Sequence, residues 1–181
     1  MIEKEVRDVV TEYYQELNGT AVVIVHGLEM LILDGPAGKN KQEIDVLVIN
    51  FSKQYVLNIE VKRSLTSAQL RGRGKSVITK AKEQLQKIKK MIEDWFPHLK
   101  GTWKFCSMLY CKFRDESIMD CAHCADFIAK TPEELRAKIK AMDDSMPVIP
   151  LATGNFKFII WLIHIRAVLT LKFPVVPPKI R

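Results

Sequence analysis

Glu43-Ile44-Asp45-Val46-Leu47-Val48-Ile49-Asn50, followed across Phe51-Ser52-Lys53-Gln54 by Tyr55-Val56-Leu57-Asn58-Ile59-Glu60-Val61-Lys62, is the stretch whose reading decides the fold. Both runs are short, aliphatic and bounded by polar residues, so each reads as a strand. The four residues between them suit an antiparallel hairpin. Closing the loop at Asn50 and Tyr55 fixes the register and sets Asp45 opposite Glu60. A two-residue turn at Ser52-Lys53 gives the same pairing, whereas a bulge would not. Side-chain alternation then puts Lys62 on the face of Glu60, one step along. The opposite face carries Ile44, Val46 and Val48 with Tyr55, Leu57, Ile59 and Val61, and reads as core.

Working outward, Val6, Val9, Val10, Tyr13 and Leu17 fall at helical spacing, and Asn18-Gly19 is a helix stop. Ala21 to His26 is a β-branched run. Asp34 to Gly38 is a turn. Beyond the hairpin and a loop rich in Arg and Gly, Ile78, Ala81, Leu85, Ile88, Ile92 and Trp95 mark a long helix that ends before Pro97. Trp103 to Phe113 reads as a strand, Phe127-Ile128 as a short one, and Thr131-Pro132-Glu133-Glu134 as a capping box that opens a helix to about Met142. This order predicts an α/β domain with a mixed sheet over residues 1–142. Residues 143–154, with Pro147, Pro150 and Gly154, read as a linker, and 155–181 as an apolar C-terminal element packed on the same domain.

The chain has 181 residues, 48% hydrophobic and 27% charged, which fits one globular domain and excludes a disordered or fibrous chain. Its net charge of +7 is unevenly spread: ten of the 28 Lys and Arg lie between Val61 and Lys90, against one acid, Glu83. Such a run suits a polyanionic partner. Met1-Ile2-Glu3-Lys4-Glu5 lacks the apolar core of a signal peptide, so an intracellular, unsecreted protein is expected, nucleus and cytoplasm undistinguished. Phe156 to Leu171 carries Lys157, His164 and Arg166 and is short for a span, so no membrane is expected.

Two carboxylates directly opposed on neighbouring strands repel, and a sheet selected only for stability avoids them. A divalent cation removes the conflict, because hard ions such as Mg²⁺ take carboxylate oxygens plus water. A lysine beside such water would orient it or neutralise charge developing on a phosphate. The plainer reading of Asp45, Glu60 and Lys62 is a solvated patch at a strand end.

The two runs resemble the PD-(D/E)XK superfamily, especially NERD domains and archaeal Holliday-junction resolvases, over roughly residues 1–113. The pattern is an acid on one strand and E-x-K on the next, preceded by a helix bearing a glutamate and followed by a basic helix; Ile44 stands where the family name has Pro. The resemblance implies a restriction-endonuclease-like αβββαβ core with a mixed central sheet flanked by helices. It implies a Mg²⁺- or Mn²⁺-dependent endo- or exodeoxyribonuclease. Asp45, Glu60 and the Val61 carbonyl would bind the metal and Lys62 would act at the water. Glu3, in Glu3-Lys4-Glu5-Val6, resembles the resolvase helix glutamate, with Glu16 the other flanking candidate and a solvated first-turn acid the plainer reading. Gln84 resembles the helix glutamine that many members carry, against the plainer reading of a surface residue.

Arg63, Arg71, Arg73, Lys75, Lys80 and Lys87 are the expected phosphate contacts. Gly74-Lys75-Ser76 is not a Walker loop, since residue 69 is Gln. Cys111, Cys121, His123 and Cys124 would suit a separate zinc or iron–sulfur site, but reduced, partly buried thiols are preferred. Cys106 and Cys111 should face opposite sides of their strand. The expected partner is DNA, with RNA not distinguished and a homodimer allowed. The rivals are a non-catalytic nucleic-acid-binding module with the same fold and a structural protein whose basic helix meets an acidic partner.

Overall fold

The computed structural model describes residues 2–17, 21–32, 40–65, 77–95, 97–114 and 125–148. Its elements are α1 (Ile2–Glu16), β1 (Val22–Ile32), β2 (Asn40–Asn50), β3 (Tyr55–Leu65), α2 (Val77–Trp95), a 3-10 turn (Pro97–Leu99), β4 (Lys104–Arg114), β5 (Phe127–Ala129) and α3 (Pro132–Asp144). The strands form one five-stranded mixed sheet in the order β1-β2-β3-β4-β5. The β1–β2 and β2–β3 pairs are antiparallel, and β3–β4 and β4–β5 are parallel. The expected αβββαβ order is present, with β5 and α3 following it.

Each element follows from its apolar spacing. Val6, Val10, Tyr13 and Tyr14 make the buried stripe of α1, while Leu135, Ile139 and Met142 make that of α3. These two helices cover one face of the sheet, packing on Val46, Val48, Leu57, Ile59 and Met108. The other face is covered by α2, whose Ile88, Met91 and Ile92 pack on Leu47, Ile49 and Val56. Full burial of a side chain such as Ile59 or Ile88 contributes about 1.5–3 kcal/mol. Thr131 caps α3 by accepting from the Glu134 N–H, as the capping box predicts. Glu134 reaches back to the Lys130 N–H.

Two corrections to the sequence reading concern this frame. Ile44 does not share a face with Val46 and Val48; it packs on the α2 side with Leu47 and Ile49. The boundary at residue 142 falls inside α3, because Asp143 is 2% exposed and central to a buried polar network. Asp143 accepts from Tyr55 Oη at 2.7 Å and from Lys53 Nζ at 2.7 Å. Asn50 and Tyr13 approach the same carboxylate at 3.4 and 3.5 Å, and the Tyr14 and Tyr55 hydroxyls lie 2.6 Å apart. Burial raises the Tyr55 hydroxyl far above its ordinary range, so it remains a donor. The rest of the expected linker after Val148, and the element 155–181, lie outside the described residues. Among the described residues no helix is long and apolar enough to cross a membrane.

Candidate active site

The hairpin has the expected register over five pairs, from Asn50↔Tyr55 to Val46↔Ile59. Four residues, Phe51 to Gln54, close it, and Gln54 takes the left-handed conformation that ends the turn, φ 50°. The ladder stops one step short of Asp45 and Glu60. On its other edge β2 pairs with β1 continuously except at Gly27, which is skipped between His26↔Val46 and Leu28↔Ile44. Gly27 has φ +60°, which a residue without a Cβ adopts at little steric cost. Regular alternation therefore fails at Asp45, and this irregularity turns Ile44 toward α2. Asp45 itself reaches across to β3, where its Oδ2 accepts the Val61 N–H at 2.6 Å. A side chain replaces the backbone partner that Val61 would have had in an unbroken ladder.

Glu60 is 1% exposed, so the solvated-patch reading fails for it. Its Oε1 is ion-paired with Lys62 Nζ, whereas Oε2 is buried without a hydrogen-bond partner. Burial lifts the Glu60 carboxyl from its ordinary 4.5 to about 7; Lys62 opposes the rise, and Asp45 and Glu43 add to it. Asp45 is also raised, first by burial and then by Glu3 and Glu43, against the Val61 N–H and Lys62. Lys62 keeps 27% of its side chain in solvent. It therefore joins the buried acid to the surface.

These donors have the chemistry a hard cation requires: two carboxylates in mutual repulsion, and one buried oxygen with nothing bound to it. Among the described residues, no group of three or more His, Cys, Asp or Glu side chains gathers as a metal cluster. A metal at Asp45 and Glu60 would thus need backbone oxygen or water to complete its shell.

The chain matches no family model and no curated protein. One solved structure is similar in fold. It is the small subunit, R.BspD6I2, of the heterodimeric restriction endonuclease R.BspD6I, at 16% identity and a TM-score of 0.39, with 91% of this chain and 86% of that chain covered.

Around the two acids, Glu3 on α1 and Glu43 on β2 are both exposed and both raise Asp45. Of the other acids of α1, Glu5 meets Lys112 at 3.1 Å, and Glu16 pairs with Arg136. Gln84 docks α2 beside the site by donating to the Glu43 carbonyl at 2.9 Å. Arg63, Lys80 and Lys87 are exposed, whereas Arg71, Arg73 and Lys75 lie outside the described residues. Cys106 and Cys111 face opposite sides of β4, as expected. Cys111 is buried beside Ala81 and donates to the Phe113 carbonyl; Cys121, His123 and Cys124 lie outside the described residues. Sequence reasoning passed over Glu43, although its place two residues before Asp45 was a signal. It passed over Asn58 too, an amide at an inward-facing strand position two residues before Glu60.

Proposed function

We propose that this chain is a metal-dependent nuclease that hydrolyses phosphodiester bonds in DNA. The observation that carries the reading is Glu60, a carboxylate buried at a cost in burial energy, paired on one oxygen with Lys62 and left unpartnered on the other, beside a second raised acid. A purely structural Glu–Lys pair at this position would be better replaced by apolar residues. Asp45, Glu60 and the Val61 carbonyl are the groups that would hold Mg²⁺ or Mn²⁺. When bound, the ion lowers the pKa of a coordinated water and offsets charge on the phosphate.

Asp45 remains oriented by its bond to the Val61 N–H, and Glu60 by Lys62. Lys62 Nζ, partly in solvent, orients the attacking water and meets the charge that grows on the phosphoryl oxygens. The water oxygen bonds to phosphorus in line with the leaving oxygen as the bond between phosphorus and that oxygen breaks; the water gives up a proton to solvent and the leaving oxygen takes one from solvent. Glu3 and Glu43 deepen the negative field that favours a cation, and Gln84 fixes α2 at the Glu43 carbonyl. The exposed Arg63, Lys80 and Lys87 bind the phosphate backbone, together with Arg71, Arg73 and Lys75.

The test is cleavage of single-stranded, duplex and branched DNA, and of RNA, with Mg²⁺, Mn²⁺ or EDTA. Wild type should cut DNA only with a divalent ion, and Asp45→Asn and Glu60→Gln should abolish cutting while leaving binding intact. Full activity in either variant removes the site assignment. The non-catalytic binding module has one observation in its favour, the two-carboxylate rather than three-carboxylate grouping among the described residues. It prevails if every form binds DNA and none cuts.

A further inference from the structure

Among the described residues, the large hydrophobic side chains in open solvent are Phe113, 56% exposed, and Val148. Isolated apolar residues are ordinary on a protein surface, so exposure alone assigns Phe113 nothing. Its place in the sheet does. β3 and β4 keep one parallel register from Tyr55↔Lys104 to Leu65↔Arg114, which sets Lys62 beside Cys111 and Ser64 beside Phe113. Val61 and Tyr110 belong to the core under α1 and α3, whereas Leu109 and Cys111 pack on Ala81 of α2. Alternation therefore puts Lys62 and Phe113 on one face of the sheet, the α2 face, with Glu60. Phe113 stands one strand over and one side-chain step beyond Lys62, roughly 8 Å away between Cα atoms at ordinary strand spacing. Its backbone is fixed by the pairing of β4 with β3 and by the Cys111 thiol, which donates to the Phe113 carbonyl at 3.4 Å. Lys62 keeps 27% of its side chain in solvent, and Lys80 is exposed on α2 next to Ala81, so cationic groups accompany the ring.

From this geometry we propose that Phe113 is the platform on which one unpaired base stacks beside the phosphate at Lys62, and that the substrate class of the site is single-stranded DNA. The assignment rests on the reading of Asp45, Glu60 and Lys62 as a nuclease centre and names what that centre takes. A nucleotide whose phosphate meets the Lys62 ammonium extends its base along the same face, where the exposed ring offers a flat apolar surface. Every base has such a face, so the contact is indifferent to sequence. In a duplex both faces of a base are already covered by its neighbours, and taking one out costs pairing and stacking. The ring therefore adds affinity for an unpaired strand and none for an intact duplex, while the lysines attract both.

The test uses the full chain in EDTA, with fluorescence anisotropy of a short labelled single strand and of a blunt duplex of the same sequence at one salt concentration. Phe113→Leu keeps an apolar side chain but removes the aromatic face. It should weaken binding of the single strand about tenfold and change that of the duplex by less than about twofold. Phe113→Trp, which keeps a stacking surface, should bind the single strand at least as well as wild type. With Mg²⁺, wild type should cut the single strand faster than the duplex, and Phe113→Leu should lose that preference. The proposal is overturned if Phe113→Leu binds the single strand as wild type does, or if it weakens both forms alike. It is equally overturned if Phe113→Trp does no better than Phe113→Leu, as when a second copy of the chain covers the ring. A wild type that shows the expected binding in EDTA and cuts nothing with Mg²⁺ removes the nuclease reading and leaves the stacking role standing. One that cuts both forms at rates indifferent to Phe113→Leu does the reverse.

Discussion

Glu60 is 1% exposed and its carboxyl is raised to about 7 by burial, so its folded-state value lies above the 4.5 of an unhindered glutamate. A carboxyl raised in this direction contributes fully to stability below the unfolded value, and the contribution is lost as pH rises through the folded one. Without divalent ions, wild type should therefore lose stability between about pH 4.5 and about pH 7, and Glu60→Gln should not. At about pH 8 the Gln variant should be more stable by on the order of 3 kcal/mol, the linkage equivalent of that shift. Urea unfolding in EDTA at both ends of the range measures it; parallel pH profiles would contradict the buried charge. Because a cation binds the ionised acid, Mg²⁺ affinity should climb with pH until about 7 and then level off, as read by calorimetry. Lys62 offers a sharper division between enzyme and binding module. Lys62→Met should lose most of the single-turnover rate while keeping DNA affinity, and Lys62→Arg should restore little if the ammonium positions water rather than supplying bare charge. Wild-type rates in both variants would remove Lys62 from the mechanism.

Helix α2 presents Ala81, Leu85, Ile88 and Ile92 to the sheet and leaves Lys80, Lys87, Lys89 and Lys90 exposed, so one element joins the core to the expected phosphate surface. DNA affinity should fall steeply with salt, and Lys80→Gln with Lys87→Gln should flatten the log–log slope by about 1–2, since each lost phosphate contact releases roughly one counterion fewer. Fluorescence anisotropy across a salt series checks this; an unchanged slope would assign those lysines to solvent alone. The helix was legible in the sequence because its apolar residues keep one period, and the hairpin because a four-residue loop fixes its own register. The departure at Asp45 was not legible. It depends on Gly27, a residue of another strand whose left-handed backbone acquires meaning only when it lies opposite Asp45. Asn58 escaped for a related reason, since strand alternation gives its face but not the helix that buries it.

Across the whole molecule, Asp143 ties α3 to the β2–β3 turn and to α1 through partners 88 to 130 residues away in sequence. No local pattern announces such a tie, which is why a boundary drawn from composition cut through it. Asp143→Ala would strand the Lys53 ammonium and the Tyr55 hydroxyl and should cost about 3–5 kcal/mol, read by denaturant unfolding. A loss under about 1 kcal/mol would mean that water replaces the carboxylate. The change from antiparallel to parallel pairing at β3 has a kinetic consequence. The β1–β2–β3 meander closes through neighbouring segments, whereas β4 joins β3 only after the chain has crossed by way of α2. If the meander forms first, Asp45 and Glu60 meet while still hydrated, and the docking of α2 dehydrates them later. If that docking limits refolding, stopped-flow traces should be faster at about pH 5, where Glu60 enters the interior neutral, than at about pH 8, where it must shed water as an anion.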